Sequence, residues 1–204
     1  MGPSTLRGSL PVTDVDALAR GRHADPFAVL GPHIGREGGA TVVAIRAFLP
    51  GVVGVEVRPG EPGLAPRPME RLHPDGIFEA TFPERAAPFR YRLAVTEAPG
   101  RVREIDDPYR FPSTLSDFDR LLLGEGTHYR AYEKLGAHET VLDDVAGVVF
   151  AVWAPNARRV SVVGDFNAWD GRRHPMRRHP GAGIWELFVP GLGAGARYKF
   201  EIVG

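Results

Sequence analysis

One polar turn holds the residues best suited to binding chemistry. Gly164-Asp-Phe-Asn-Ala-Trp-Asp-Gly171 follows a run of alternating apolar residues, and it sets two aromatic side chains among the turn formers Asp, Asn and Gly. A tryptophan left exposed to water on a strand-rich surface is costly, so a partner for its ring is expected. Its flat face suits the apolar side of a sugar ring, and covering roughly 60–80 Å² would contribute about 1.5–2 kcal/mol. The turn therefore predicts Trp169 as a stacking platform for a sugar.

Two polar side chains complete this predicted glycan-binding set. Asn167 lies in the same turn, and Lys199 alternates with Tyr198 and Phe200, so it faces outward if the two rings face inward. One stacked ring and a few hydrogen bonds give a dissociation constant of roughly millimolar to tens of micromolar. Such weak binding suits a polymer that offers many equivalent sites. The alternative is structural: Trp169 covers the edge of a core, and Lys199 is a solvated strand lysine.

Other classes of chemistry find little support. The chain has 25 basic and 25 acidic residues, so it lacks the overall positive charge that would favour binding to nucleic acid. It has no cysteine, which excludes disulfides and thiolate catalysis. The basic cluster Arg172–His179 contains no aromatic residue, so a solvated loop or a domain contact is favoured over nucleic acid. Adjacent carboxylates at 106–107 and 143–144 point to opposite faces of a strand and do not form a glycosidase pair. No catalytic residue, metal site or cofactor is predicted.

The sequence also lacks the signals that would direct it to a membrane. No apolar run approaches the roughly 20 residues needed to cross a bilayer, and the first residues contain no apolar segment typical of a signal peptide. The missing cysteines fit a reducing compartment. We therefore expect a cytoplasmic protein without membrane partners.

An internal repeat predicts the architecture. Pro155 lies 105 residues after Pro50, while Met176 and Tyr198 each lie 107 residues after Met69 and Tyr91. A period near one hundred residues indicates a duplicated domain. Trp185 corresponds to Phe78 in the first copy, which favours a core position for both rings.

The apolar alternation predicts an all-β fold of two tandem immunoglobulin-like antiparallel sandwiches. The first occupies residues 1–105, the second 143–204, and a partly helical connector covers 106–142. The predicted strands are 40–48, 52–58, 77–82, 89–96 and 101–105 in the first copy, and 148–154, 159–164, 184–189 and 197–203 in the second.

Two short helices are also predicted. The first is capped by Thr13 and stopped by Gly21; the second is capped by Ser116 and ended by Gly124. The run 121–123 is apolar all round, so we expect it to pack between the two sandwiches.

Several long strings resemble the N-terminal region of bacterial 1,4-α-glucan branching enzymes. They are HADPFAVLG (23–31), IDDPYRF (105–111), LLLGEGTHYRAYEKLGAH (121–138), VWAPNARRVSVVGDFNAWDGRRHPM (152–176) and GIWELFVPG (183–191). The resemblance implies an N-terminal β-domain followed by a family-48 carbohydrate-binding module. In that family a C-terminal catalytic barrel cleaves an α-1,4 glucan and transfers the chain to a 6-hydroxyl.

The resemblance implies that this segment is inactive alone, because the family's catalytic residues lie in the barrel and none matches here. It implies α-glucan or glycogen and the enzyme's own barrel as partners. Trp169 and Lys199 match positions that contact maltooligosaccharide in glycogen-binding modules. Three alternatives remain: a regulatory glycogen-binding module, part of a debranching enzyme, and a structural pair that braces the barrel without touching sugar.

The two copies differ at their ends. The strand 101–105 of the first copy has no counterpart after residue 203, so the second sandwich is expected to be incomplete. That arrangement predicts an unpaired sheet edge near residues 197–203 and a less stable second copy.

Overall fold

The computed structural model describes residues 10–204, which form two compact units. The first unit comprises residues 10–20 and 28–110, and the second comprises residues 21–27 and 111–204. No helix in the described part of the chain is long and apolar enough to cross a membrane.

The first unit is a sandwich of two four-stranded antiparallel sheets. Its strands in chain order are β1 (Gly31–Glu37), β2 (Ala40–Phe48), β3 (Gly54–Pro59), β4 (Arg67–Pro68), β5 (Glu70–His73), β6 (Ile77–Phe82), β7 (Tyr91–Ala98) and β8 (Arg101–Ile105). The sheet orders are β1-β2-β6-β5 and β4-β3-β7-β8. Alternate residues of the two sheets meet in one core, as when Ile45 and Phe78 cluster with Val57 and Leu93.

The second unit repeats this plan. Its strands are β9 (Gly136–Leu142), β10 (Val145–Trp153), β11 (Arg159–Gly164), β12 (Arg177–His179), β13 (Ile184–Pro190) and β14 (Tyr198–Val203). One sheet has the order β12-β13-β10-β9, and the other pairs β11 with β14. Rings join the two sheets: the centroid of Phe150 on β10 lies 4.8 Å from that of Tyr198 on β14. The all-β fold predicted from the alternation is confirmed.

The free edge of β14 is visible in the second unit. Within residues 10–204, β14 pairs only with β11, whereas its counterpart β7 pairs with both β3 and β8. Ile202, which stands opposite Val160 in the register, is correspondingly half-exposed.

The repeat reaches further back than sequence reasoning found. Strands β1 and β9 were not predicted, yet each begins at a glycine with positive φ, 86° at Gly31 and 105° at Gly136. In both copies the histidine two residues after this glycine forms a hydrogen bond with the backbone carbonyl three residues before it. His33 Nε2 lies 3.0 Å from Leu30 O, and His138 Nε2 lies 2.9 Å from Leu135 O. Strand β9 pairs with β10. Residues 136–142, expected in the connector, therefore form a strand of the second sandwich.

The two helices differ in detail from the predictions. Helix α1 (Val12–Ala19) begins after Pro11 without a side-chain cap, so the assignment of Thr13 as its cap is wrong. Helix α2 (Asp117–Glu125) has the predicted cap, with Ser116 Oγ accepting from Asp119 N at 3.0 Å. It ends at Gly126 rather than Gly124, because only Gly126 adopts the left-handed conformation, with φ of 71°.

The expected burial of the whole apolar run 121–123 is also wrong. Leu123 is buried against Leu115 and Ile184 of its own unit, but the side chain of Leu121 is 55% exposed. Residues two apart on a helix point in different directions, so one apolar face cannot bury both.

Candidate functional site

A tight turn at the end of β11 positions Trp169. Gly164 ends the strand, and a Cβ there would collide with the carbonyl oxygen of Arg197 and lie 2.5 Å from the ring of Phe166. One 3-10 turn follows, and Ala168 and Trp169 then both take left-handed backbone, with φ of 57° and 59°. Two consecutive left-handed residues other than glycine are strained. The surrounding hydrogen bonds must therefore hold the turn in place.

Asn167 supplies those hydrogen bonds. Its Oδ1 accepts from Gly164 N at 2.9 Å, while its Nδ2 donates to Val162 O and to His174 Nδ1, both at 2.9 Å. The residue is only 3% exposed. Because both N–H groups already have acceptors, Asn167 is not free to donate to a sugar, although its place in the turn predicted that it would contact glycan. Its position instead indicates that it holds the Trp169 turn in shape.

His174 completes the support of the turn. Burial, reinforced by the charge of Arg173, lowers the pKa of His174 to about 4. The ring is therefore neutral near pH 7, and its Nδ1 accepts a hydrogen bond from Asn167 Nδ2. Its ring also packs edge-on against Phe166 at 5.5 Å between centroids.

Trp169 is anchored at one edge and is partly exposed. The indole Nε1 donates to Asp165 Oδ1 at 2.9 Å, and Arg197 Nη2 lies 2.9 Å from the other carboxylate oxygen. The hydrogen bond from Trp169 and then that from Arg197 lower the pKa of Asp165. With 43% of Trp169 still exposed, the ring is both oriented and accessible. Asp165 and Arg197 were not predicted from the sequence, although an Asp four residues before the Trp was a usable signal.

Lys199 lies next to this turn on the outer face of β14. Tyr198 and Phe200 point inward, since both rings contact Phe150, which confirms the predicted alternation. Lys199 is exposed and pairs in the register with Val163 of β11. It follows Arg197 by two residues, so the two cations share one face near the strand end from which Trp169 emerges. The structure thus brings Trp169 and Lys199 to one end of the β11–β14 pair, and Asn167 is buried in the turn that carries Trp169.

Comparisons with known families match both halves of the chain. Residues 11–109 match the N-terminal domain of alpha-1,4-glucan branching enzyme GlgB. Residues 134–204 match carbohydrate-binding module 48, the isoamylase N-terminal domain. The second match contains Trp169 and Lys199 and begins two residues before β9.

Curated relatives agree with these matches. The 1,4-alpha-glucan branching enzyme GlgB of Paramagnetospirillum magneticum is 54% identical over 211 residues, covering 100% of this chain and 27% of the relative. The enzymes of the same name from Rhodospirillum rubrum and Rubrobacter xylanophilus are 51% and 52% identical, covering 93% and 92% of this chain and 26% and 25% of the relatives. The chain therefore spans about a quarter of the length of these relatives.

Among solved structures, pullulanase type I from Bacillus subtilis complexed with maltose matches 80% of this chain and 21% of its own, at 19% identity. Its TM-score of 0.28 is too low to support a conclusion. The two family matches and the long relatives agree with each other: the chain belongs to the GlgB family of 1,4-alpha-glucan branching enzymes, and it carries that family's N-terminal domain followed by a carbohydrate-binding module of family 48.

Proposed function

We propose that this chain is the glucan-engaging region of a branching enzyme and that its second sandwich binds α-1,4-glucan at the Trp169 turn. In full length the enzyme would cleave an α-1,4 glucan and transfer the chain to a 6-hydroxyl, forming the α-1,6 branches of glycogen. The observation that carries the proposal is the indole of Trp169, which is fixed by Asp165 yet 43% exposed on a carbohydrate-binding module.

Trp169, Lys199 and Asn167 each have a different role in this proposal. Trp169 stacks on a glucosyl ring, and Lys199 donates to its hydroxyl groups. Asn167 acts through the turn, holding the left-handed backbone that directs the indole outward. The catalytic part of the branching enzyme is proposed as the second partner, and the absence of cysteine supports a cytoplasmic location.

The test is retention on a glycogen affinity gel. Trp169→Ala is expected to weaken binding about 10- to 30-fold, because stacking on one sugar face is worth about 1.5–2 kcal/mol. Trp169→Phe keeps an aromatic face and should retain part of the binding. Ile34→Ala removes an apolar side chain of the first unit that is also exposed, at 59%, and should leave retention unchanged. Unchanged retention of Trp169→Ala would instead favour a bracing role for the second sandwich.

A further inference from the structure

A second exposed tryptophan lies on the other sheet of the second sandwich. Trp153 ends β10 and is 61% exposed, although Ile184, its partner in the register, is fully buried. Trp153 shares a face of the sheet with Ala151, and Leu115 and Leu123 cover Ala151. The segment that contains α2 thus covers this face of the sheet up to Trp153 and leaves the indole open.

An open groove of about 410 Å³ lies beside Trp153. Its apolar wall includes Leu123 and Leu135, and its polar lining is Glu125 and His128. A further groove of about 530 Å³ is also lined by Gly124 and Glu125, so the two grooves adjoin at the end of α2. Open, adjoining grooves suit an extended ligand rather than a small enclosed one.

The His128 side chain has a feature that suggests a polar ligand. It is nine-tenths buried, and its Nε2 lies 3.1 Å from Asp119 Oδ1. Because that oxygen is an acceptor, Nε2 donates to it, and Nδ1 is the ring nitrogen left for another partner. Among residues 10–204 this buried Nδ1 has no hydrogen-bond partner. A buried polar atom without a partner is costly, and a hydroxyl group of a ligand would satisfy it.

We propose that this Trp153 groove is a second binding site for α-1,4-glucan, separate from the Trp169 turn. Trp153 stacks on a sugar ring, Glu125 accepts hydrogen bonds from its hydroxyl groups, and one hydroxyl group forms a hydrogen bond with His128 Nδ1. The choice of sugar rests on the proposed function, but the groove itself does not. Residues 123–128 precede the part of the chain that matches the carbohydrate-binding module, so that match does not account for this wall.

The two sites would lie on different sheets of one sandwich. Trp169 follows β11 of the two-stranded sheet, whereas Trp153 ends β10 of the four-stranded sheet. Two weak sites on one module hold a polymer more tightly than either alone, since the second contact forms at high effective concentration.

Tryptophan fluorescence can read each site separately. The chain has three tryptophans, and the third, Trp185, is 1% exposed. In Trp169→Phe the exposed indole is Trp153, and in Trp153→Phe it is Trp169. Acrylamide quenching is measured for each variant during titration with maltoheptaose, with cellohexaose as the control sugar.

Saturable protection of the exposed indole in Trp169→Phe by maltoheptaose, and not by cellohexaose, is the expected result. Adding Glu125→Ala in that background should weaken the protection about tenfold, whereas in Trp153→Phe it should have no effect. Quenching in Trp169→Phe that maltoheptaose leaves unchanged would overturn the Trp153 site. If maltoheptaose protects the exposed indole in Trp169→Phe but not the one in Trp153→Phe, the proposed role of Trp169 is overturned instead. The two failures are therefore distinguishable.

Discussion

Glu186→Ala is expected to lower the free energy of unfolding of the second unit by about 3–5 kcal/mol. Glu186 is 2% exposed on β13, and its carboxylate accepts from four donors. These are His179 Nε2 at 2.9 Å and Ser113 Oγ, Thr114 N and Thr114 Oγ1 at 2.6 Å each. Alanine would remove the shared acceptor of the buried His179 and the half-buried Ser113 and Thr114, and would loosen the segment that leads into α2.

Urea unfolding measures this loss. The matched control is Glu133→Ala, which removes a carboxylate paired with Arg130 on the surface of the same unit and should cost less than about 0.5 kcal/mol. Glu186→Gln keeps one acceptor oxygen and should fall between the two. An unfolding midpoint of Glu186→Ala equal to that of the control would show that the hydrogen bonds to Glu186 do not stabilise the second unit.

The pH dependence of stability provides an independent check on Glu186. Burial alone would raise its pKa, but the hydrogen bonds from His179, Ser113 and Thr114 outweigh burial and lower it to about 2, from an ordinary 4.5. Because the folded pKa lies below the unfolded one, the contribution is complete above about pH 4.5 and is lost as the pH falls toward 2. It amounts to about 3 kcal/mol. This acid-dependent loss should be absent from Glu186→Ala.

Asn167→Ala is expected to destabilise the second unit by about 2–3 kcal/mol and to weaken glycogen retention as much as Trp169→Ala does. The substitution leaves Gly164 N and Val162 O without the amide and removes the side-chain hydrogen bonds that brace the two left-handed residues that follow. The indole would lose its fixed orientation, although its own chemistry is unchanged. The measurements are urea unfolding and the glycogen gel.

The chain's other asparagine, Asn156, is the matched control. It is exposed in the turn after β10, so Asn156→Ala should leave both stability and retention unchanged. Asn167→Asp tests the hydrogen-bond direction, since an oxygen would then face His174 Nδ1 in place of the donating nitrogen. His174 should respond by binding a proton, with its pKa rising from about 4 to above 6.5 in an NMR titration. Full glycogen retention by Asn167→Ala would show that the turn does not depend on the amide.

Strands whose two faces differ in polarity, or whose residues are apolar throughout, could be predicted from the sequence. The bounds of β2, β6, β8 and β11 agree with the prediction. Strands β1 and β9 were missed because each begins at a glycine with left-handed backbone, which resembles a turn, and β1 contains two glycines and a proline. Pairing with β2 and β10 forms these strands despite their weak local preference.

The sequence by itself determined the duplication, the all-β class and the turn that carries Trp169, because repeated apolar alternation and turn residues are local signals. Only the tertiary structure decided what the polar residues do. Asn167 faces inward because the turn must satisfy its own buried backbone groups, and Glu186 gathers donors from residues more than 70 positions earlier. Trp153 is exposed because the segment that contains α2 packs on Ala151 through Leu115 and Leu123 but does not extend over the Trp153 ring. Exposure and hydrogen-bond partners depend on residues distant along the chain, and local spacing does not encode them.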